Sequence, residues 1–398
     1  FSSKMANATS TELQELYVAY FGRAADPTGL DYWVEKGTTV AVFAASQHAQ
    51  DEFKSEYGSL SVQAQVNQIY KNLFDREADT TGLTYWTQQI NLGNLELAEI
   101  AVHLIWAAKN NTGGSADKTA LENRTNAAVA YTAEVKTTTA GILAYTAADT
   151  TTWDAGDNLA EAKSYLSGID GSTPYTAAGI TASVDTIIAN GVQADKKTLA
   201  LTTSTDSLTG GAGADTFNAT TVLQLSNGDT LTGGGATDTL NAKLNSGTTT
   251  VFTSTGIEKH KYEITSVTGS TGAVINAASF TGVTDIYLTA SGAENFTVNN
   301  LGLINTIHLN TVNGDAVLDY TAASMTGTAD DLAFDLDSIS SAATIQLTKS
   351  ATTTDIIETV SLDSGSQANT LADLQTTGIG ATKLEFSGVN DLTITAAL

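Results

Sequence analysis

The chain has no cysteine, two prolines, two methionines, four histidines and only 18 basic residues among 398. Without thiols there is no disulfide framework, no thiolate metal site and no cysteine nucleophile. His48, His103, His260 and His308 stand far apart, and none falls in H-E-x-x-H or another zinc spacing. His48 and His103 read as structural residues on helical faces, and His260 reads as exposed within Lys259-His260-Lys261. Against 43 acidic residues the formal net charge is −25; residues 1–200 hold 13 bases and 23 acids, residues 201–398 hold 5 and 20. No basic stripe is present to meet phosphates, so nucleic acid is not an expected partner. An acidic excess of this size favours divalent cations, which relieve self-repulsion. No run approaches 18 apolar residues, so no membrane insertion is expected. The chain starts at Phe1 without a basic leader, which reads as a processed or trimmed chain without a cleavable signal peptide. Neither G-x-S-x-G nor a phosphate-binding G-x-x-x-x-G-K-[ST] occurs, and Asp363-Ser364-Gly365 has no second copy to complete an aspartic-protease pair. The expectation is a protein that is not an enzyme. A glycan hydrolase would need two carboxylates at a defined separation, and the sequence does not locate them.

What is present begins with an internal repeat. Residues 17–33 match residues 70–86 at an offset of 53, with Tyr17/Tyr70, Phe21/Phe74, Arg23/Arg76, Asp26/Asp79, Gly29/Gly82, Tyr32/Tyr85 and Trp33/Trp86 identical. Leu13, Leu16, Tyr17, Tyr20 and Phe21 recur at helical spacing, as do Val66, Ile69, Tyr70, Leu73 and Phe74. Asp26 before Pro27 is an N-cap with proline at the first helical position, and Asp79 repeats the cap. Each unit therefore predicts helix, tight connection, helix, with the Arg/Asp/Gly/Trp set packing the hairpin. Helical patterning continues over 98–108, 118–135, 157–166 and 177–189, with a loop at 111–117. Residues 191–206 read as the linker, and the composition then shifts to threonine-rich alternation.

The second half carries the one stretch whose order points to a specific chemistry. Gly210-Gly211-Ala212-Gly213-Ala214-Asp215-Thr216-Phe217-Asn218 fits G-G-x-G-x-D-x-U-x, where U is a large apolar residue. Asp206 precedes Asp215 by nine residues and Asp229 precedes Asp238 by nine; Leu208, Phe217, Leu231 and Leu240 each follow an Asp by two. Glycines permit a tight turn with carbonyls aimed at one centre, and aspartate adds the hard anionic oxygen that Ca²⁺ takes among its 6–8 ligands. The candidate metal ligands are Asp206, Asp215, Asp229 and Asp238, with carbonyls of Gly211, Gly213, Gly233, Gly234 and Gly235. Ordinary Gly/Asp-rich turns are the competing reading. Ala236 stands where the pattern has its third glycine, and a left-handed backbone there costs roughly 1 kcal/mol or more, so a distorted turn is expected. Short strands behind polar turns at 255–258, 281–288, 303–309, 355–362 and 380–386 suggest stacked turns, and further acidic turns at 313–315, 330–337, 363–365 and 390–391 offer more cation sites.

The two R-x-A-D-x-T-G-L-x-Y-W units resemble the DUF4214 module of bacterial surface and secreted proteins, over about residues 10–110. The nonapeptide resembles the RTX calcium repeat, over about residues 203–242. Together they are similar to surface-layer proteins of the Caulobacter type. R-x-x-D-x-x-G helix modules are also similar to phycobilisome linkers, against which the acidic balance and the β-rich half argue. The surface-layer resemblance implies a secreted, calcium-dependent two-dimensional lattice of identical subunits on a Gram-negative cell. It also implies anchoring to lipopolysaccharide O-antigen through the N-terminal domain and export by type I secretion. No RTX secretion tail is recognisable at 393–398. The expected fold is multidomain α + β: a helical N-terminal, cell-anchoring domain at 1–200, then a calcium-binding β-roll or β-solenoid-like domain at 201–398. Tyr20, Tyr32, Trp33, Tyr85 and Trp86 are the aromatic residues available to stack on sugar, with burial in helix packing as the competing role of the tryptophans. A monomeric RTX adhesin, or the non-catalytic portion of a secreted RTX enzyme, is the alternative function.

Overall fold

The computed structural model describes residues 6–111, 115–264, 272–290, 292–340, 342–350 and 354–396. The chain divides into two compact units, Phe1–Ala194 and Asp195–Leu398. Residues 112–114 of the expected loop and 397–398 of the tail lie outside the described residues.

The first unit is helical. Thr9 and Glu12 close a reciprocal capping box on helix Ser10–Phe21, which ends at Gly22 with φ of 63°. Asp26 caps helix Pro27–Glu35 by accepting from Gly29 N at 2.7 Å, and Asp79 caps helix Thr80–Asn91 through Gly82 N at 2.8 Å. The repeat is therefore two helix–cap–helix units, Ser10–Phe21 with Pro27–Glu35 and Val62–Phe74 with Thr80–Asn91. Leu13, Tyr20, Phe43, Val66, Ile69, Leu73 and Ile100 share one core, and Tyr131, Tyr145, Leu159, Ile180 and Ile187 share another. Helices Leu97–Lys109, Ala116–Val135, Gly156–Ser167 and Ala177–Asn190 follow the sequence periodicity. Val40–Ser46, Asp51–Tyr57 and Thr139–Ala144 were not legible, because six or seven residues hold too few turns to display a period.

The second unit is a parallel β-solenoid of about eight turns. Its longest sheet stacks nine strands: Thr198–Ala200, Thr216–Ala219, Thr239–Leu244, Lys259–Ile264, Asp285–Ala290, Thr306–Asn310, Asp331–Asp337, Thr359–Asp363 and Lys383–Ser387. A four-stranded, a six-stranded and a two-stranded parallel sheet complete the solenoid. Turn length is uneven: Thr198 pairs with Thr216, 18 residues on, whereas Asp331 pairs with Thr359, 28 residues on. The register stacks like on like. Phe217, Leu240, His260, Ile286, Ile307, Phe334 and Leu362 form one inward column, each contributing roughly 1.5–3 kcal/mol where the side chain is apolar.

His260 corrects a sequence expectation. It is fully buried in that column, because strand alternation turns Lys259 and Lys261 outward and His260, Tyr262 and Ile264 inward. Its Nε2 lies 2.9 Å from Ser254 Oγ and its Nδ1 2.8 Å from Tyr262 Oη, with Phe252 and Phe280 against the ring. Burial pushes its pKa down to about 3. Above about pH 6.5 both folded and unfolded chains hold it neutral; below that the unfolded chain takes up a proton that the folded one refuses. The contribution of His260 to solenoid stability should therefore fall as pH drops from about 6.5 towards 3. Chemical denaturation followed by circular dichroism, read as the difference between wild type and His260→Gln across this range, checks it.

Candidate functional site

The nine-residue spacing spans half a solenoid turn, and the four aspartates accordingly fall into two columns. Leu208 pairs with Leu231 and Phe217 with Leu240, so Asp206 stacks beneath Asp229 and Asp215 beneath Asp238, 23 residues apart in each case. In the first column Asp229 Oδ1 accepts from Asp206 N at 2.8 Å and Ser226 Oγ at 3.0 Å, and Oδ2 accepts from Ser226 N at 2.7 Å. Asp206 accepts from Thr202 N and Oγ1 at 2.7 and 3.0 Å. Protein donors thus satisfy both residues of this column.

The second column is a staircase at one corner of the solenoid. Lys197 N donates to Asp215 Oδ1 at 2.6 Å, Asp215 N to Asp238 Oδ1 at 2.7 Å, and Asp238 N to Glu258 Oε2 at 2.7 Å. Asp215 Oδ2 also receives the Gly211 amide. Asp238 Oδ2 has no equivalent: it is buried and makes no hydrogen bond. The second turn differs because Gly234 takes φ of 153° and Ala236 φ of 67°. Burial, reinforced by the carboxylates of Asp215 and Glu258, pushes the Asp238 carboxyl up to about 7.

The glycines let main-chain carbonyls and carboxylates approach closely at this corner. A Cβ on Gly233 would lie 1.8 Å from the Gly256 carbonyl oxygen and 2.2 Å from Asp238 Oδ2; one on Gly210 would lie 2.4 Å from the Gly233 oxygen and 2.2 Å from Asp215 Oδ2. Two cradles one turn apart are thus each bounded by a carboxylate and a main-chain carbonyl. This hard-oxygen donor set, with one buried oxygen lacking a hydrogen bond, fits a divalent cation such as Ca²⁺. Asp238 and the carbonyl of Gly256 would hold it, since both Asp215 oxygens are taken by main-chain amides. The structure does not bring Asp206 and Asp229 to the same point, and among the described residues no group of three or more acidic or histidine side chains is disposed around one metal position. Gly211 and Gly235 pair with each other, Gly235 N donating to Gly211 O at 2.9 Å, while Gly213 lies in the turn before Asp215.

The positive φ of Ala236 carries a direct prediction. Ala236→Gly should stabilise the solenoid by about 0.5–1 kcal/mol, relief of the left-handed penalty outweighing the extra freedom of glycine in the unfolded chain. Scanning calorimetry with and without calcium measures the gain.

The aromatic candidates of the helical unit separate by burial. Tyr20 is fully buried and its hydroxyl donates to Ala98 O at 2.8 Å, which leaves no face for a ligand. Trp86 is half-buried, with Nε1 3.2 Å from Tyr70 Oη and the ring stacked on His103. Tyr32 and Tyr85 are exposed, each set edge-on to its neighbouring tryptophan. Trp33 lines a cavity of about 340 Å³ together with Asp26, Gln50, Asp51, Glu52 and Trp153. At its base Arg23, buried, meets Glu52 through Nε at 2.8 Å and Nη2 at 2.6 Å and donates to Ala24 O. Burial works against the Arg23 charge, but Glu52 overrides it and holds the guanidinium pKa above its usual value. Trp153 was not anticipated; it comes from the irregular 145–155 segment, which carries no periodic signal.

Fold and site together define a two-unit α + β protein with a helical unit followed by a parallel β-solenoid. Residues 44–112, within the helical unit, match the family model of DUF4214, a domain of unknown function. No curated protein and no solved structure matches the chain.

Proposed function

We propose that this is a secreted structural protein of the bacterial cell surface, exported by a type I route, which assembles with copies of itself into a calcium-dependent two-dimensional lattice. The helical unit anchors it to lipopolysaccharide O-antigen. The observation that carries the reading is the buried, hydrogen-bond-deficient carboxylate of Asp238 in the corner staircase of an acidic solenoid. A cation bound there converts binding energy into folding energy and removes repulsion between stacked acids. The Trp33–Trp153 cavity supports the anchoring part: two indoles offer apolar faces, and Gln50, Asp26 and Asp51 offer the planar polar groups that hydroxyls need.

Co-sedimentation with vesicles carrying lipopolysaccharide tests the anchor. The full chain should sediment with O-antigen-bearing vesicles and not with vesicles whose lipopolysaccharide lacks O-antigen, and Trp33→Ala with Trp153→Ala should abolish binding while the fold persists. Equal sedimentation with both vesicles would remove O-antigen as the ligand. A protein that binds calcium yet stays monomeric would be an adhesin instead.

A further inference from the structure

The outer face of the nine-stranded sheet is electrically polarised along the solenoid axis. Three of the five lysines in residues 201–398, Lys243, Lys259 and Lys261, stand on two adjacent strands, Thr239–Leu244 and Lys259–Ile264, against the single acid Glu263. Further along, strands Asp331–Asp337 and Thr359–Asp363 present Asp331, Asp335, Asp337 and Asp363 outward with no base among them. Between the two zones Tyr287 and His308 stack face to face at 3.9 Å, with Lys261 over the far side of the Tyr287 ring. The register aligns Lys261, Tyr287, His308, Asp335 and Asp363 in one outward row. Among the described residues Lys259, Asp331 and Asp363 form no ion pair, and Asp335 meets only the His308 imidazole, at 2.9 Å. These charges are half-buried or exposed, so they are available to a partner.

We propose that this face docks on the same face of a second copy, related by a two-fold axis that runs along the strands between Asp285–Ala290 and Thr306–Asn310. Such an axis reverses the solenoid direction while keeping strand direction. It sets Lys261 of each copy opposite Asp335 of the other and Asn241 opposite Asp363, twice over, as a self-complementary interface requires, while Glu263, which falls opposite Asp337, is already paired with Lys243 of its own chain at 3.7 Å. Strands about 4.8 Å apart put the lysine row and the aspartate row about 14 Å from each other, longer than the screening length near physiological salt, so the two zones act as separate poles. A uniformly acidic face would repel its copy; the lysine cluster supplies the missing sign. The inference rests on the self-assembly reading above and names one of its contacts.

A charge swap in the full chain with calcium present tests it. Lys261→Glu and Asp335→Lys, each confirmed folded by circular dichroism, should separately weaken dimerisation in sedimentation by about tenfold or more, and an equimolar mixture of the two should restore it. Added salt should weaken the wild-type dimer and leave the single variants little changed. Single variants that associate like wild type, or a mixture without rescue, would overturn the interface. Sheets that grow normally from both variants would do so while leaving the lattice standing, whereas swap-sensitive dimers that never grow into sheets would keep the interface and sink the lattice. A wild-type chain that stays monomeric would end both.

Discussion

Replacing Arg23 by methionine should cost the helical unit about 3–5 kcal/mol, whereas the same change at Arg76 should cost less than about 1 kcal/mol. The two arginines occupy identical positions of the internal repeat. Arg23 is buried and bidentate to Glu52, with Tyr145 and the 145–159 segment closing over it. Its loss strands the half-buried Glu52 carboxylate, while the Ala24 carbonyl keeps the Tyr145 hydroxyl at 2.6 Å. Arg76 makes the same fork to Asp117 at 2.7 and 2.8 Å, but its side chain is 39% exposed, and water replaces what the substitution removes. All four tryptophans lie in the helical unit, so denaturation followed by tryptophan fluorescence reads that unit without contribution from the solenoid. Equal costs at both positions would mean that the burial difference does not govern the pair.

Asp238→Asn should have opposite effects with and without calcium. The ordinary aspartate pKa lies near 3.9 and the folded one near 7, so the folded chain holds this proton more tightly than the unfolded chain. Its contribution is fully present below about pH 4 and lost as pH rises through 7, where an ionised carboxylate stays buried without a counter-charge. In chelator at pH 8 the neutral amide should therefore stabilise the solenoid by about 2 kcal/mol. In saturating calcium the order reverses: wild type gains about 3 kcal/mol at a hundredfold excess over its dissociation constant, and the variant gains little. Calorimetry of both proteins across pH 5–8, in chelator and in calcium, measures the crossing. A variant with undiminished calcium stabilisation would move the cation away from this corner. Asp229→Asn, at the column already satisfied by Ser226 and Asp206, is the control expected to keep the calcium response.

Much of this architecture was legible in the residue order. The helix–cap–helix repeat follows from Asp26 and Asp79 with their spaced apolar residues, because capping and amphipathic periodicity are local effects. The change to threonine-rich alternation marked the solenoid, and the glycine pattern marked its first corners. What escaped was set by stacking across turns. Nine residues fit either a full small turn or half of a larger one, and only the pairing of Phe217 with Leu240 decides for half, which splits the four aspartates into two columns. His260 looked exposed because its neighbours are lysines, yet the alternation of His260, Tyr262 and Ile264 contained its inward orientation. Trp153 and the wall of the Arg23 cavity come from an irregular segment, where position is fixed by contacts far away in sequence. The distorted second corner was foreseeable from Ala236 alone, since a side chain at a left-handed position has a fixed cost.

Electron microscopy and light scattering of the full chain during a calcium titration would show whether calcium holds it in a surface lattice. Chelator reversal and a magnesium arm complete the measurement. Ordered sheets should grow with calcium, dissolve in chelator and fail to form in magnesium, whose octahedral shell suits these carbonyl-lined corners poorly. Scattering that stays at the monomer level at every calcium concentration, or sheets that form equally well in chelator, would contradict a calcium-held lattice.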